Sequence, residues 1–177
     1  MLFSERIGDM DDWMSLERKL RRYHEDVIDA VRRLSHIADF LDENSVENLR
    51  ASAMTFRDHD LAAHFRLEEE VLFQSILKVR VSMETRVLIA QLTKEHATFL
   101  GMFEDFYQQL ERIPKGNKPD PVVLAKLRFI CKTVGRLFAD HAARELDGFS
   151  ALFRENPSVQ FLLSRNYLSY RTKHPKE

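Results

Sequence analysis

Four histidines and two glutamates in this 177-residue chain have the types and spacing of metal ligands. His64 precedes Glu68 by one helical turn, and His141 precedes Glu145 in the same way. At ~100° per residue, each His and its Glu lie about 40° apart on one helix face. His24 and His96 each interrupt another apolar stripe. A histidine alone at such a position is most often a hydrogen-bonded packing residue. The set changes that reading, because each of four predicted helices contributes one inward histidine. Six buried polar groups without partners would be very costly, and a metal ion or a pair of ions satisfies all six. His36 and His59 point away from their seams and His174 lies in the polar tail. Glu69, Glu70 and Asp147 rotate away from the ligand faces and read as solvated charge.

The donor types narrow the metal. Imidazole and carboxylate without thiolate fit iron, manganese or zinc rather than copper(I) or an iron–sulfur cluster. Six protein ligands exceed what one tetrahedral zinc with an open position uses. They suit two octahedral ions joined by bridging carboxylates and an oxo or hydroxo group. Roughly ten of twelve coordination positions are then filled, leaving about two for water or an exogenous ligand. No Glu-x-x-His pair of the ferritin-like plan occurs, nor does the HExxH of zinc hydrolases.

The elements that must position these residues follow from apolar periodicity and breakers. The first helix is expected from just after Asp9–Asp12 to about Asp42, with Leu20, His24, Val27, Val31, Leu34, Ala38 and Leu41 as its seam. Ser45 is the candidate cap of a second helix reaching about Lys78, whose inward face carries Leu49, Ala53, Leu61, His64, Glu68 and Val71. Ser82 caps a third ending near Ile113, with Ile89, Leu92, His96, Leu100, Phe103, Tyr107 and Leu110 inside. After a Pro- and Gly-containing loop from Pro114, Asp120 caps and Pro121 opens the fourth. Its seam is Leu127, Ile130, Val134, Leu137, His141, Glu145, Gly148 and Leu152, and it stops before Asn156-Pro157. A short fifth segment runs to about Tyr170. Four helices of roughly thirty residues with short connections predict an all-α, antiparallel up-down-up-down four-helix bundle. Measured from the turns, all six candidate ligands fall at one depth, to within about one helical turn.

Composition excludes other classes. Hydrophobic residues make up 44% and charged residues 31% of the chain, so it is neither disordered nor a membrane span. Five Gly and five Pro are too few for the turns of a β-sandwich or barrel. A net charge of −1 argues against nucleic-acid binding. One Cys excludes a disulfide framework and a CxxC-type zinc site. The opening MLFSERIGDMDDW lacks the basic and apolar regions of a secretory signal, so the expected setting is cytoplasmic, without membrane contact.

The segments RRYHEDVIDAVRRL around His24, DHDLAAHFRLEEEVLF around His64 and Glu68, TKEHATFL around His96, and FADHAARELDGF around His141 and Glu145 carry a family resemblance. In this order and spacing they resemble the hemerythrin-like HHE cation-binding family, over roughly residues 13 to 153. The chain also reads as two similar halves, as a duplicated helical hairpin would. The resemblance implies one domain over residues 1–177, with a C-terminal extension from 157 to 177. It implies a non-heme di-iron centre, with His24 and His64 on one iron, His96 and His141 on the other, and Glu68 and Glu145 bridging. Zinc or manganese are conceivable substitutes.

Two departures matter. Oxygen-carrying members have HxxxH on the third helix, where this chain has Leu100, and their last carboxylate is an Asp five residues after its His rather than Glu145. Both features resemble the iron-responsive and peroxide-handling relatives more than the carriers. The implied function is binding or sensing of iron, dioxygen, peroxide or nitric oxide, with peroxide decomposition as the candidate turnover. The competing reading is a helical interaction or regulatory module with a structural metal site. Other residues carry less. Asp60 either orients an imidazole or forms a surface ion pair, and Tyr107 and Cys131 pack. Gly148 either admits a small ligand or permits close helix approach. The Arg18-Lys19-Arg21-Arg22 cluster is a solvated face. The tail around Phe161–Leu163, Tyr167 and Tyr170 covers one end of the bundle, with homodimerisation as the lesser alternative.

Overall fold

The computed structural model describes residues 18, 21–34, 36, 39, 46–114 and 117–174, and every regular element among them is helical. Helix α1 covers residues 21–34. Helix α2 is continuous from Val46 to Leu77 but changes pitch, with α-helix at Val46–Thr55, Ala62–Leu67 and Gln74–Leu77 and π-helix at Phe56–Leu61 and Glu68–Phe73. Helices α3 (Met83–Glu111), α4 (Pro121–Glu155) and α5 (Pro157–Lys173) follow. The expected turn at Asp42–Ser45, with its cap, lies outside the described residues, as do Leu20, Ala38, Leu41 and Lys19.

The helix ends form where local chemistry dictates. Ser82 Oγ accepts the Thr85 amide at 3.2 Å, and the Asp120 carboxylate accepts that of Val122 at 2.7 Å. Asn156 accepts the amides of Ser158 and Val159 at 3.1 and 3.2 Å. Pro121 and Pro157 occupy first-turn positions, where the missing N–H is not needed. At the far end of α3, the Arg50 guanidinium donates to the carbonyls of Leu110 and Ile113, satisfying otherwise orphaned acceptors.

Two apolar clusters divide the interior. The first joins Val27, Val31 and Leu34 of α1 to Leu49 and Phe56 of α2, Phe99, Phe103 and Phe106 of α3, and Leu127, Val134 and Phe138 of α4. The second joins Val71, Leu72 and Ile76 of α2, Ile89 and Leu92 of α3, Phe149 and Phe153 of α4, and Val159, Leu163 and Tyr170 of α5. Chain order through them alternates, since α2 and α4 run from the first cluster to the second and α3 runs back. Between the two clusters lies a polar layer.

The seams differ in detail from the periodic expectation. On α3, Phe99 and Phe106 are fully buried, while Leu100 and Tyr107 are only half-buried. On α4, Phe138 and Phe149 take the deepest positions, Ile130, Leu137 and Leu152 are half-buried, and Gly148 is exposed. The buried arc of a helix packed on several neighbours is wider than a two-position seam. The largest rings, which gain most from burial, occupy its centre. Helix α5 runs to Lys173, one turn beyond expectation, and packs Leu163, Tyr167 and Tyr170 inward with Phe161 outside. Asn166 Nδ2 donates to Ser75 Oγ at 2.9 Å, fastening α5 to α2. Among the described residues no helix is long and apolar enough to cross a membrane.

Candidate metal centre

All six sequence-predicted ligands meet in the polar layer. His24 comes from α1, His64 and Glu68 from α2, His96 from α3, and His141 and Glu145 from α4. His64, Glu68, His96, His141 and Glu145 are buried, and His24 alone keeps a partly exposed side chain. Each histidine turns its Nε2 inward. Glu68 Oε1 lies 3.1 Å from His24 Nε2 and 2.8 Å from His64 Nε2. Its other oxygen lies 3.0 Å from His96 Nε2 and 4.0 Å from His141 Nε2. Glu145 Oε2 is 3.3 Å from His24 Nε2 and 3.8 Å from His141 Nε2. Ligand atoms therefore gather in two groups that share Glu68, one with His24 and His64, the other with His96 and His141.

Proximity is only partly matched by hydrogen bonding: His24 Nε2 bonds Glu68 Oε1 at 3.1 Å and His96 Nε2 lies in bonding geometry 3.3 Å from His141 Nε2, while other polar atoms are left over. His64 Nδ1 and Nε2, Glu68 Oε2 and Glu145 Oε2 are buried without a hydrogen-bond partner. Polar atoms crowded to about 3 Å, yet poorly aligned for hydrogen bonds, are arranged around a common point rather than toward each other. A cation at that point satisfies them, so the donor set fits a metal.

Electrostatics agree. Burial, reinforced by the charge of Glu68, pushes the Glu145 carboxyl up to about 7. Burial would also raise Glu68, but the surrounding imidazoles of His64, His141 and His24 outweigh it and hold that carboxyl well below its usual range. Burial alone would lower His24, yet the carboxylates of Glu145 and Glu68 raise it to about 10. Burial depresses His64. The two carboxylates thus favour positive charge beside them, as they would favour a cation.

The walls are aromatic. The Phe138 ring lies 6.0, 5.9 and 5.8 Å, centre to centre, from His24, His64 and His141. His96 is stacked on Phe65 at 4.0 Å and lies nearly parallel to Phe73 at 5.7 Å. A cleft of about 260 Å³, walled by Ile28, Ala142, Leu146 and Phe153, includes His24 and Glu145 in its lining. It borders His24, the candidate ligand whose side chain is partly exposed.

Two participants escape the periodic reading. Glu69 Oε1 lies 2.8 Å from His96 Nδ1, so it is not merely solvated charge. The π-helical turn beginning at Glu68 widens the spacing and lets consecutive glutamates reach neighbouring partners. Glu95 Oε2 lies 2.9 Å from His141 Nδ1 and is gripped by Arg144 at 2.8 and 2.7 Å. Its adjacency to His96 was the only signal in the sequence. Burial would raise the Glu95 carboxyl, but Arg144 and His141 hold it below the usual value.

Other expectations resolve individually. Asp60 is exposed and makes no hydrogen bond to His64, whose Nδ1 is partnerless. A Cβ at Gly148 would meet only the Leu88 side chain, with Cδ2 at 2.3 Å, so a larger residue there requires Leu88 to shift. Cys131 is buried and its thiol is pushed up to about 12 by burial, which leaves it unreactive. Tyr107 packs beneath the Arg57 guanidinium, 5.6 Å from the ring centre. His36 is exposed, His174 is half-buried 3.8 Å from Glu70, and the side chain of His59 lies outside the described residues.

No curated protein and no solved structure matches the chain. Residues 15–152, which contain all six convergent ligands, match the hemerythrin HHE cation binding domain, and the chain belongs to that family.

Proposed function

We propose that the chain is a single-domain, cytoplasmic hemerythrin-like protein that holds two iron ions in an antiparallel up-down-up-down four-helix bundle. In this reading it binds or senses iron, dioxygen, peroxide or nitric oxide. His24 and His64 hold one ion, His96 and His141 the other, and Glu68 and Glu145 span the pair. The observation that carries it is the convergence of four imidazoles, three of them buried, on two carboxylates, with His64 and one oxygen of each carboxylate buried without a hydrogen-bond partner. Bound iron supplies redox chemistry and open coordination positions; the protein supplies ligand geometry, an aromatic wall that excludes water, and a narrow approach. The cleft beside His24 and Glu145 favours a reactive centre over a purely structural one, which would be closed. Peroxide decomposition is the turnover this arrangement suits best.

Anaerobic loading with Fe(II), followed by air, tests the proposal. The expected result is about two irons per chain and near-ultraviolet absorption from a bridged di-ferric pair. Uptake of no more than one metal, or wild-type loading in a His96→Ala/Glu145→Ala variant, overturns it. Loading without any response to dioxygen, peroxide or nitric oxide supports the structural-metal module instead.

A further inference from the structure

The two histidine pairs are built unequally. On one side, the outer nitrogens are tied to carboxylates: His96 Nδ1 to Glu69 at 2.8 Å, and His141 Nδ1 to Glu95 at 2.9 Å. Arg144 grips both oxygens of Glu95, so the second tie is itself anchored. His96 also packs nearly parallel to the rings of Phe65 and Phe73. On the other side, His64 Nδ1 is buried with no partner at all, and His24 retains a partly exposed side chain. A carboxylate on the outer N–H fixes the ring and its tautomer and makes the inner nitrogen a stronger donor.

We propose that Glu69 and Glu95 are positioning residues that make the His96/His141 position the tighter of two metal positions, so that it fills first and empties last. This rests on the two-metal reading above. Arg144 acts at one further remove, by holding Glu95 on His141. The His24/His64 position, without such ties on His64, fills second and exchanges faster. Glu69 and Glu95 reach the metal only through imidazoles.

Titration of the metal-free protein with Co(II), followed by visible absorption, reads the two positions as separate steps. Wild type is expected to bind two ions in two resolved steps. Glu69→Ala and Glu95→Ala should each weaken the tighter step about 10–100-fold and leave the weaker one unchanged. Glu69→Gln and Glu95→Gln keep an acceptor oxygen of the same size, guard against misfolding, and should recover part of the loss. Proton NMR of the Co(II) protein supplies a readout that a merely structural role would not move. Exchangeable, metal-shifted Nδ1–H signals are expected from His96 and His141, one of them vanishing in each Ala variant. Folded variants that bind both ions with wild-type affinity, or that lose both steps equally, overturn the inequality. Wild type that binds fewer than two ions overturns the two-metal reading itself.

Discussion

Glu68 divides its oxygens between the histidine pairs, with Oε1 toward His24 and His64 and Oε2 toward His96 and His141. Glu145 presents a single oxygen to one histidine of each pair, at the longer distances of 3.3 and 3.8 Å. The two carboxylates are therefore not equivalent, although the sequence places them identically after their histidines. Glu68→Ala is expected to abolish stoichiometric loading at both positions. Glu145→Ala should leave at least one ion bound, with affinity lowered about 10-fold or more. Metal analysis after gel filtration separates the two, and equal loss in both variants would sink the distinction. The six candidate ligands were legible because each sits in an apolar stripe, where a polar residue demands a partner. Glu69 and Glu95 were not legible, because their partners lie on other helices and neither breaks an apolar pattern.

At the scale of elements, the caps were readable because they depend on a few adjacent residues. Ser82 and Asp120 illustrate this, whereas Asn156, read only as the stop of α4, also caps α5. Asn156→Ala should cost about 0.5–2 kcal/mol in denaturant unfolding. Metal content should stay at the wild-type level, because α5 packs on the second cluster rather than on the ligands; loss of metal would show that α5 holds the site closed. The π-helical turns of α2 were not readable. Fixed steps of ~100° cannot anticipate an inserted residue, and Val71, Leu72 and Phe73 are buried in succession as a result. The same fixed stepping placed Leu137 inside in preference to Phe138. That ring borders three of the four histidines, so Phe138→Ala should cost about 3–5 kcal/mol. It should also weaken metal binding, read by competition with a chromophoric chelator. A loss of stability without a change in affinity would mean the ring fills space and does not position ligands.

The whole molecule joins two apolar clusters through a layer that is unfavourable without a cation, so protons and metal compete to stabilise it. In the metal-free protein, His24 is raised to about 10 and Glu145 to about 7, and His96 is also raised: burial would lower it, but Glu68 and Glu69 outweigh that effect. Each of these groups binds its proton more tightly folded than unfolded, so its stabilisation is present at lower pH and lost as pH rises through the folded value. His64 is depressed, but its contribution is complete above the ordinary imidazole value of 6.5. Metal-free protein should therefore lose stability as pH rises from about 7 to 10. Metal binding needs neutral imidazoles and ionised carboxylates, so the loaded protein carries the opposite dependence: uptake releases protons, and acid expels the ion. Saturation at a thousand times the dissociation constant adds about 4 kcal/mol, of the same order as the proton effect. Thermal unfolding at several pH values, with chelator or with excess metal, should give slopes of opposite sign across neutral pH. Parallel slopes would mean that the convergent histidines and glutamates bind protons but no cation.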